Sequence, residues 1–502
     1  MDATTTTARG DAANAVRLDT RPDDTTATAA ATNTADDSSS NSTTAWAPPE
    51  VTPKQVTYAT WVCFFAWALA VYDFILFGTL LPRLGDHFQW TAAEQARLNT
   101  WVTLGTGLVA FGIGPIVDRL GRRKGIIIAV CGAAICSGLT AVAGWVVGAT
   151  AGLGFVLLVL VRSLAGLGYA EQTINATYLT ELFAVVHTHP AATRRRGFIY
   201  ALVQGGWPIG AVLTAVLVAV LYPLGESWFG AGGGWSLSFL FAMFPAVVIV
   251  ILGRRLVETP QFLTARRIAD LHSAGRSADA RQLAAAHGVA AEAGKGTGLG
   301  EMFSGESLRP LLSLGLAFML NWFAIVIFTV LGTSVLGGSG GTPGKGVDFS
   351  NALQVLIVSN LAGFLGYVFH GWLGDRIGRR NTVALGWMVG GLAFWAMLQA
   401  PEGDFWRIVP LYSLGLFFLM GPYAAVLFLI GESFPSRIRA TAGAFIGALG
   451  QLGAIVAGIG ITHTLSTGAD WVQAALYWGA LPCLLSGGLM WLVPHVDPRT
   501  LK

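Results

Sequence analysis

From Val56 to Val493 the chain is a succession of apolar stretches, each of about twenty residues, separated by short polar breaks. A helix rising ~1.5 Å per residue needs about that length to cross a bilayer, and lipid offers no water to satisfy a backbone left unpaired. Every stretch is therefore expected to be a helix. Twelve are counted, at 56–81, 98–117, 125–147, 153–182, 197–221, 235–252, 311–336, 351–373, 382–398, 408–430, 440–462 and 471–493. The composition, 53% hydrophobic and 12% charged, is too apolar for a water-soluble domain of this length.

The remaining segments are read from charge and composition. Residues 1–50 are Thr, Ala, Asp and Ser with almost no large apolar side chains, so a disordered cytoplasmic tail is expected. They lack the basic start, apolar centre and cleavage site of a signal peptide, which leaves the first span to direct insertion. The sequon Asn41-Ser42-Thr43 is inert on an inward-facing tail. Six spans over 51–257 and six over 310–495 are joined by 258–309, whose Ala and Arg at helical spacing predict short amphipathic helices along the membrane surface. Residues 496–502 form a cytoplasmic C-terminus. Basic residues cluster in the loops at 119–124, 194–196, 376–380 and 437–439, all on one side of twelve spans. The positive-inside bias makes that side the cytoplasm of a plasma membrane, a bacterial inner membrane being expected. A net charge of +3 says little about partners, and nucleic acid is not expected among them. Cys63, Cys131, Cys136 and Cys483 lie in apolar runs without metal-type spacing and read as small buried hydrophobes, so no metal is expected. Gly344-Lys345 in the Gly-rich stretch 337–346 is a decoy for a phosphate loop, with Ser339 and Gly346 at positions that need Gly and Ser or Thr.

The loop after the second span reads Gly114-Pro-Ile-Val-Asp118-Arg119-Leu-Gly121-Arg122-Arg123-Lys124. The loop after the eighth reads Gly371-Trp-Leu-Gly-Asp375-Arg376-Ile-Gly378-Arg379-Arg380, so G-x-x-x-D-R-x-G-R-R occurs twice, roughly half the chain apart. Gly121 supplies backbone freedom for a tight turn, Gly114 a smooth face for helix contact, and the basic residues suit a helix C-terminus. Asp118 at such an end needs a compensating arginine or another helix N-terminus. The doubled motif resembles the signature loop of the major facilitator superfamily, and the chain is identified as a member. The resemblance implies an all-α polytopic membrane protein of twelve transmembrane helices in two pseudo-symmetric six-helix bundles. It also implies a secondary transporter working by alternating access and no enzyme. A monomer in the lipid bilayer is expected, with a small-molecule substrate and no cofactor other than a proton as coupling ion.

Ionisable groups inside a membrane cost at least ~2.5–3.5 kcal/mol and invite a functional explanation. Asp73 in span one and Arg162 in span four each lie about nine residues, or ~14 Å, from one end of their spans, a depth at which they can pair. Such a pair is either a proton-coupling device, with Asp73 neutralised in turn by Arg162 and by a proton, or a static lock on helix packing. Glu171, about nine residues beyond Arg162, is a poor partner for it, and serves either proton or substrate handling or a structural contact with the 119–124 loop.

The superfamily resemblance further implies a cytoplasmic gate in which acidic ends of spans meet the signature-loop arginines. Asp118, Arg119, Arg122, Glu181 and Arg196 would form one cluster, and Asp375, Arg376, Arg379, Glu432 and Arg439 its counterpart, with Glu258 resembling the acidic residue after span six of sugar-porter-like members. The alternative is ordinary surface charge. A substrate site is expected near the midplane between the halves, where Tyr72, Gln172, Gln204, Trp207, Asn321, Trp322, Asn360, Tyr423 and Gln451 are the candidate polar or aromatic residues; each alternatively makes a helix-to-helix hydrogen bond. Arg162 alternatively binds a substrate carboxylate, and His370 is either a packed residue or a proton relay. Tyr72-Asp73-Phe74, the 162–171 segment and Glu432-x-x-Pro435-x-x-x-Arg439 resemble metabolite:proton symporters and sugar porters, which implies proton-coupled uptake of a small organic acid or sugar-like metabolite. Proton-driven efflux of drugs or metabolites is the rival, because Gly206-Trp207-Pro208-Ile209-Gly210 has some likeness to a glycine-proline motif of efflux relatives.

Overall fold

Unbroken apolar runs make the helices of this chain, and small polar residues just outside the runs start them. Thr52 and Thr91 each begin a helix through a reciprocal box with Gln55 and Glu94. Asp348, Asp404 and Asp470 each accept the backbone N–H three residues on, pairing donors that a helix start leaves free.

The computed structural model describes residues 46–149, 151–186, 199–200, 202–287, 302–303, 305–435 and 438–494. The first half contains α1 (Pro53–Phe88), α2 (Ala92–Leu120), α3 (Arg122–Ala149), α4 (Ala151–Leu164), α5 (Leu167–Val186), α6 (Gly206–Phe229), α7 (Gly234–Phe241) and α8 (Phe244–Gly253). Two helices, α9 (Pro260–Ser273) and α10 (Ser277–Ala286), occupy the described part of the linker, as its Ala and Arg spacing predicts. The second half contains α11 (Leu308–Ile325), α12 (Gly332–Gly337), α13 (Phe349–Ile377), α14 (Arg379–Gln399), α15 (Phe405–Met420), α16 (Tyr423–Glu432), α17 (Arg439–Ser466), α18 (Trp471–Ala475) and α19 (Leu481–Leu489). The tail at 1–45 and the C-terminus from 495 lie outside the described residues.

Among the described residues, eleven helical segments are long and apolar enough to cross a membrane. The span expected at 98–117 falls in α2, which is 29 residues long but more polar, because Asn99, Thr103 and Thr106 line an internal cavity. Several crossings are broken where the sequence reads as continuous. The α4–α5 crossing is interrupted at Ala165–Gly166, α7–α8 at Ala242–Met243 ahead of Pro245, and α15–α16 at Gly421–Pro422. A π-helical turn at Val326–Val330 leads from α11 to α12, and another at Leu476–Ala480 joins α18 to α19. Proline cannot donate to the ladder and a π turn widens it, so each of these sites interrupts the regular hydrogen bonding of its crossing. Large apolar side chains such as Trp61, Leu108, Leu153, Leu365 and Ile459 are exposed, as a bilayer-facing surface requires.

The halves meet along α1–α12, α2–α17 and α6–α13. Thr333 donates to the carbonyls of Gly78 at 3.4 Å and Thr79 at 3.0 Å, and Gln451 Nε2 donates to the Thr103 carbonyl at 3.0 Å. Gly78 permits this approach, since a Cβ there would lie 2.2 Å from the Val330 carbonyl oxygen. On α2 and α17, Gly458 packs on Thr100 and Gly107 on Gln451, yet a Cβ on Gly114 or Gly447, next along the same rows, would meet nothing within 4 Å. Gly114, expected to serve close helix contact, faces open space instead. The buried core repeats the asymmetry. One cluster of side chains joins both halves, whereas Val56, Cys63, Ile126, Tyr178 and Leu256 belong to a separate first-half cluster near the charged loops. The halves thus diverge toward the face carrying the two charged loops, called the loop face below, and close on the opposite face. There, Lys345 folds inward from the Gly-rich stretch and donates to the carbonyls of Leu398 and Ala400 at the end of α14, a helix terminus that favours a cation. Burial lowers the Lys345 pKa, against the pull of Glu402 and Asp470.

Candidate functional site

Helix α1 presents Asp73 to the bundle interior, and α4 presents Arg162 from its last turn, where a cation suits the helix dipole. The two side chains, each 3% exposed, form an ion pair at 3.3 Å. Arg162 also donates to Ser137 Oγ at 2.7 Å and to the Asp73 carbonyl at 3.2 Å, and its guanidinium lies 5.2 Å from the Phe77 ring centre and 5.7 Å from that of Phe239. Asp73 Oδ2 and Arg162 Nε have no hydrogen-bond partner.

Two cavities sit between the halves, one on each side of Trp322. The first, toward the closed face, is lined by Arg162, Asn99, Thr103, Thr106, Phe74, Phe77 and Gln451. The second, toward the loop face, is lined by Trp67, Gln172, Gln204, Trp207, Tyr367, Met420 and Tyr423. Each has room for a water or two in this conformation. The second cavity is an aromatic box. Trp67 and Trp207 have ring centres 5.8 Å apart, Trp207 and Trp322 6.5 Å, and Tyr169 sets its ring edge-on to Trp322 at 5.8 Å. The indole N–H groups of Trp67, Trp207 and Trp322 are buried without a partner. Gln172 donates to Gln204 at 2.9 Å, and Gln204 donates to the Tyr200 hydroxyl at 2.8 Å.

The structure thus brings Gln172, Gln204, Trp207, Trp322 and Tyr423 to one cavity and Gln451 to the other. Three expected residues stand elsewhere. Tyr72 is buried off the face that Trp67 and Phe74 share seven residues apart, a spacing of two helical turns. Asn360 spends its amide on the Leu356 carbonyl one turn back, and Asn321 reaches the box only by accepting from the Tyr423 hydroxyl at 2.7 Å. Trp67, Tyr169, Tyr200 and Tyr367 were not among the expected residues; for two of them the signal is helical spacing against the chosen residues, at Tyr169–Gln172 and Tyr200–Gln204. His370 is packed against Phe369, Phe417 and Phe418, with Nδ1 2.8 Å from the Gly366 carbonyl oxygen, and lines neither cavity. Glu171 is fully buried in α5 and does not touch the 119–124 loop; Asn175, Cys63 and Tyr200 surround it.

The charged loops have matching geometry. Gly121 and Gly378 turn the chain at φ 99° and 88°. Arg122 pairs with Glu181 at 3.3 Å, and Arg379 with Glu432 at 3.1 Å and Asp375 at 3.9 Å. Arg123 Nε donates to the Gly253 carbonyl, and Arg380 to that of Val493, so each loop ties the end of the last crossing in its own half. Glu258 is specific to the first copy. Its carboxylate accepts from the N–H groups of Arg122 at 3.0 Å and Arg123 at 3.3 Å, an anion seated on the N-terminus of α3. Burial raises the Glu258 pKa, and those N–H groups with that of Thr259 oppose the rise. The Thr259 hydroxyl donates to Glu181, completing a cluster of Arg122, Glu181 and Glu258.

Arg119 and Arg439 are exposed and make no ion pair at contact distance among the described residues, although Arg439 lies near enough to Glu432 for its charge to act there. Arg376 lies instead 4.3 Å over the Trp372 ring. The side chain of Asp118 and all of Arg196 lie outside the described residues. No ion pair joins the two clusters among the described residues.

A family model described as Major Facilitator Superfamily matches residues 63–458. Among curated proteins, a probable 4-methylmuconolactone transporter of Cupriavidus pinatubonensis is 25% identical over 84% of this chain and 86% of its own length. A gentisate transporter of Corynebacterium glutamicum is 25% identical over 77% of this chain and 76% of its own. Among solved structures, an inward-open xylose transporter from E. coli superposes with a TM-score of 0.64 at 18% identity, covering 88% of this chain and 97% of that one.

Proposed function

The chain belongs to the Major Facilitator Superfamily and is a multi-pass membrane transporter, not an enzyme; from that premise we propose that it takes up a small ring-bearing carboxylic acid together with a proton. The observation that carries the reading is the aromatic box of Trp67, Trp207 and Trp322, with its unpartnered N–H donors, one layer from the buried Asp73–Arg162 pair. Flat aromatic walls suit a planar ring, and indole and amide N–H groups suit the oxygens of a carboxylate or a ring hydroxyl. Gentisate and 4-methylmuconolactone, the cargoes named for the two relatives, are both small cyclic acids. A hexose reading has less support, because the box holds more aromatic surface than hydroxyl-binding groups and the Glu258-Thr259-Pro260-Gln261 segment lacks the usual closing arginine of sugar porters.

In this reading a proton on Asp73 frees Arg162, and Arg162 on the cavity wall then meets the carboxylate of the substrate. The loop face is the cytoplasmic one, and the Arg122–Glu181 and Arg379–Glu432 clusters approach each other when that face closes. The motif that raised efflux has a packing role: a Cβ on Gly206 would lie 2.9 Å from Trp67, and one on Gly210 2.4 Å from the Ala68 carbonyl oxygen. Those glycines let α6 press on α1, so they do not favour export.

The test uses the purified carrier in liposomes, with labelled gentisate and benzoate offered under an imposed proton gradient. Accumulation is expected to collapse with an uncoupler. Asp73→Asn is expected to lose uphill accumulation and keep counterflow exchange; equal loss of both, or accumulation of xylose instead of the acids, overturns the reading.

A further inference from the structure

Glu171 stands in a different setting from Asp73. Its carboxyl is fully buried in the membrane part of α5, and neither oxygen has a hydrogen-bond partner. The titratable groups near enough to feel its charge are the Cys63 thiol from α1 and the Tyr200 hydroxyl, and Asn175 lies one turn along its own helix. Helices α2 and α3 also pack on α5, and neither turns a titratable or charged group toward it. A lone carboxylate among such neighbours is strongly disfavoured. The amide of Asn175 would favour the ionised carboxyl if its N–H pointed there, but that N–H is engaged elsewhere. Its Nδ2–H goes to the Cys63 carbonyl at 2.9 Å, which leaves Oδ1 buried and without a donor. A protonated Glu171 has an O–H to give that oxygen, and an ionised one has none.

We propose that Glu171 is a second proton-binding site of the carrier, occupied in this conformation and separate from the Asp73–Arg162 pair; this rests on reading the chain as proton-coupled. The site is wired to the substrate cavity. Gln172, the next residue, turns the other way into the aromatic box, donates to Gln204, and Gln204 donates to the Tyr200 hydroxyl. Because its hydroxyl oxygen accepts from Gln204, Tyr200 still has an O–H hydrogen that can turn toward Glu171. A substrate that engages Gln172 reorients this row and changes whether Tyr200 serves the carboxylate or turns from it. When the proton leaves to water on the open face, the carboxylate that remains accepts from the Tyr200 O–H and the Cys63 S–H. No oxidant or other reactant is needed, since only the proton moves.

The experiment is pH-difference infrared spectroscopy of the full chain in lipid, which reads the C=O stretch of a protonated carboxyl without any transport. Raising the pH is expected to bleach such a band in the wild type and in Asp73→Asn, and the band is expected to be missing in Glu171→Gln. Tyr200→Phe, which removes a donor to the carboxylate, is expected to move the midpoint of bleaching upward. At static head, Glu171→Gln is expected to carry one proton fewer per substrate, with counterflow retained as the check on folding. A band that survives Glu171→Gln, that ignores pH, or that keeps its midpoint in Tyr200→Phe overturns the proposal. Normal accumulation by Asp73→Asn would overturn the coupling role of the first pair, and the infrared result would still decide Glu171 on its own.

Discussion

Asp73 and Arg162 meet through the last turn of α4, and Ser137 accepts from the same guanidinium nitrogen that pairs with the carboxylate. Removing one partner of a buried pair strands the other, so Arg162→Ala is expected to cost about 3–5 kcal/mol of stability. Arg162→Gln combined with Asp73→Asn is expected to recover part of that loss in thermal unfolding in detergent, because no charge is left alone. Full additivity of the two single changes would count against the pairing. Glu258, outside the membrane, gives a pH prediction. Because burial raises its pKa, the folded protein keeps the Glu258 proton to higher pH than the unfolded chain does. Its contribution to stability is full below the ordinary value of 4.5 and lost as pH rises through the raised folded value. Thermal stability should therefore fall with rising pH across that window, and Glu258→Gln should flatten the fall. At this scale the Asp73–Arg162 contact was legible from equal depth in two spans. Trp67 and Tyr367 were not, because an aromatic residue in an apolar run reads the same whether it faces lipid, core or cavity.

Helix contacts depend on glycines whose importance no local pattern reveals. Gly78 on α1 lies against the π-helical turn between α11 and α12, and Gly166, at the break between α4 and α5, would place a Cβ 2.6 Å from the Thr106 Cα. The approach of α1 to that turn holds the two halves together on the closed face. Gly78→Val puts a branched side chain against the Val330 carbonyl and is expected to wedge that face apart. Spin labels at Arg97 and Ser466, both exposed near that face, should show a longer distance in the variant by pulsed electron resonance. An unchanged distance would show that the glycine is only filling space. The helices were legible as apolar runs, but their starts were not: the runs begin at 56 and 98, whereas the caps at Thr52 and Thr91 start the helices at Pro53 and Ala92. The π turns and the break at Gly421–Pro422 were less legible too, since they are settled by which neighbour each freed backbone group finds.

Over the whole molecule, α2 and α17 touch near Thr100–Gly458 and Gly107–Gln451 and part beyond Gly114 and Gly447. Cysteines placed at Gly114 and at Gly447 are expected to react with a membrane-impermeant maleimide added at the loop face. A bifunctional reagent joining them should hold that face closed and stop transport; undiminished transport after joining would remove the alternating movement. The sequence alone determined the helical class, the number of crossings and the duplicated loops, because length, apolarity and the D-R-x-G-R-R pattern are properties of short segments read in order. It also determined which charges had to find partners inside the membrane. Tertiary structure decided which residues line the cavities, that Glu258 caps α3 and not a gate arginine alone, and which face stands open. Those outcomes depend on the rotation of each helix about its axis and the tilt of one half against the other, which twenty apolar residues in a row leave free and only the packing of all the spans together settles.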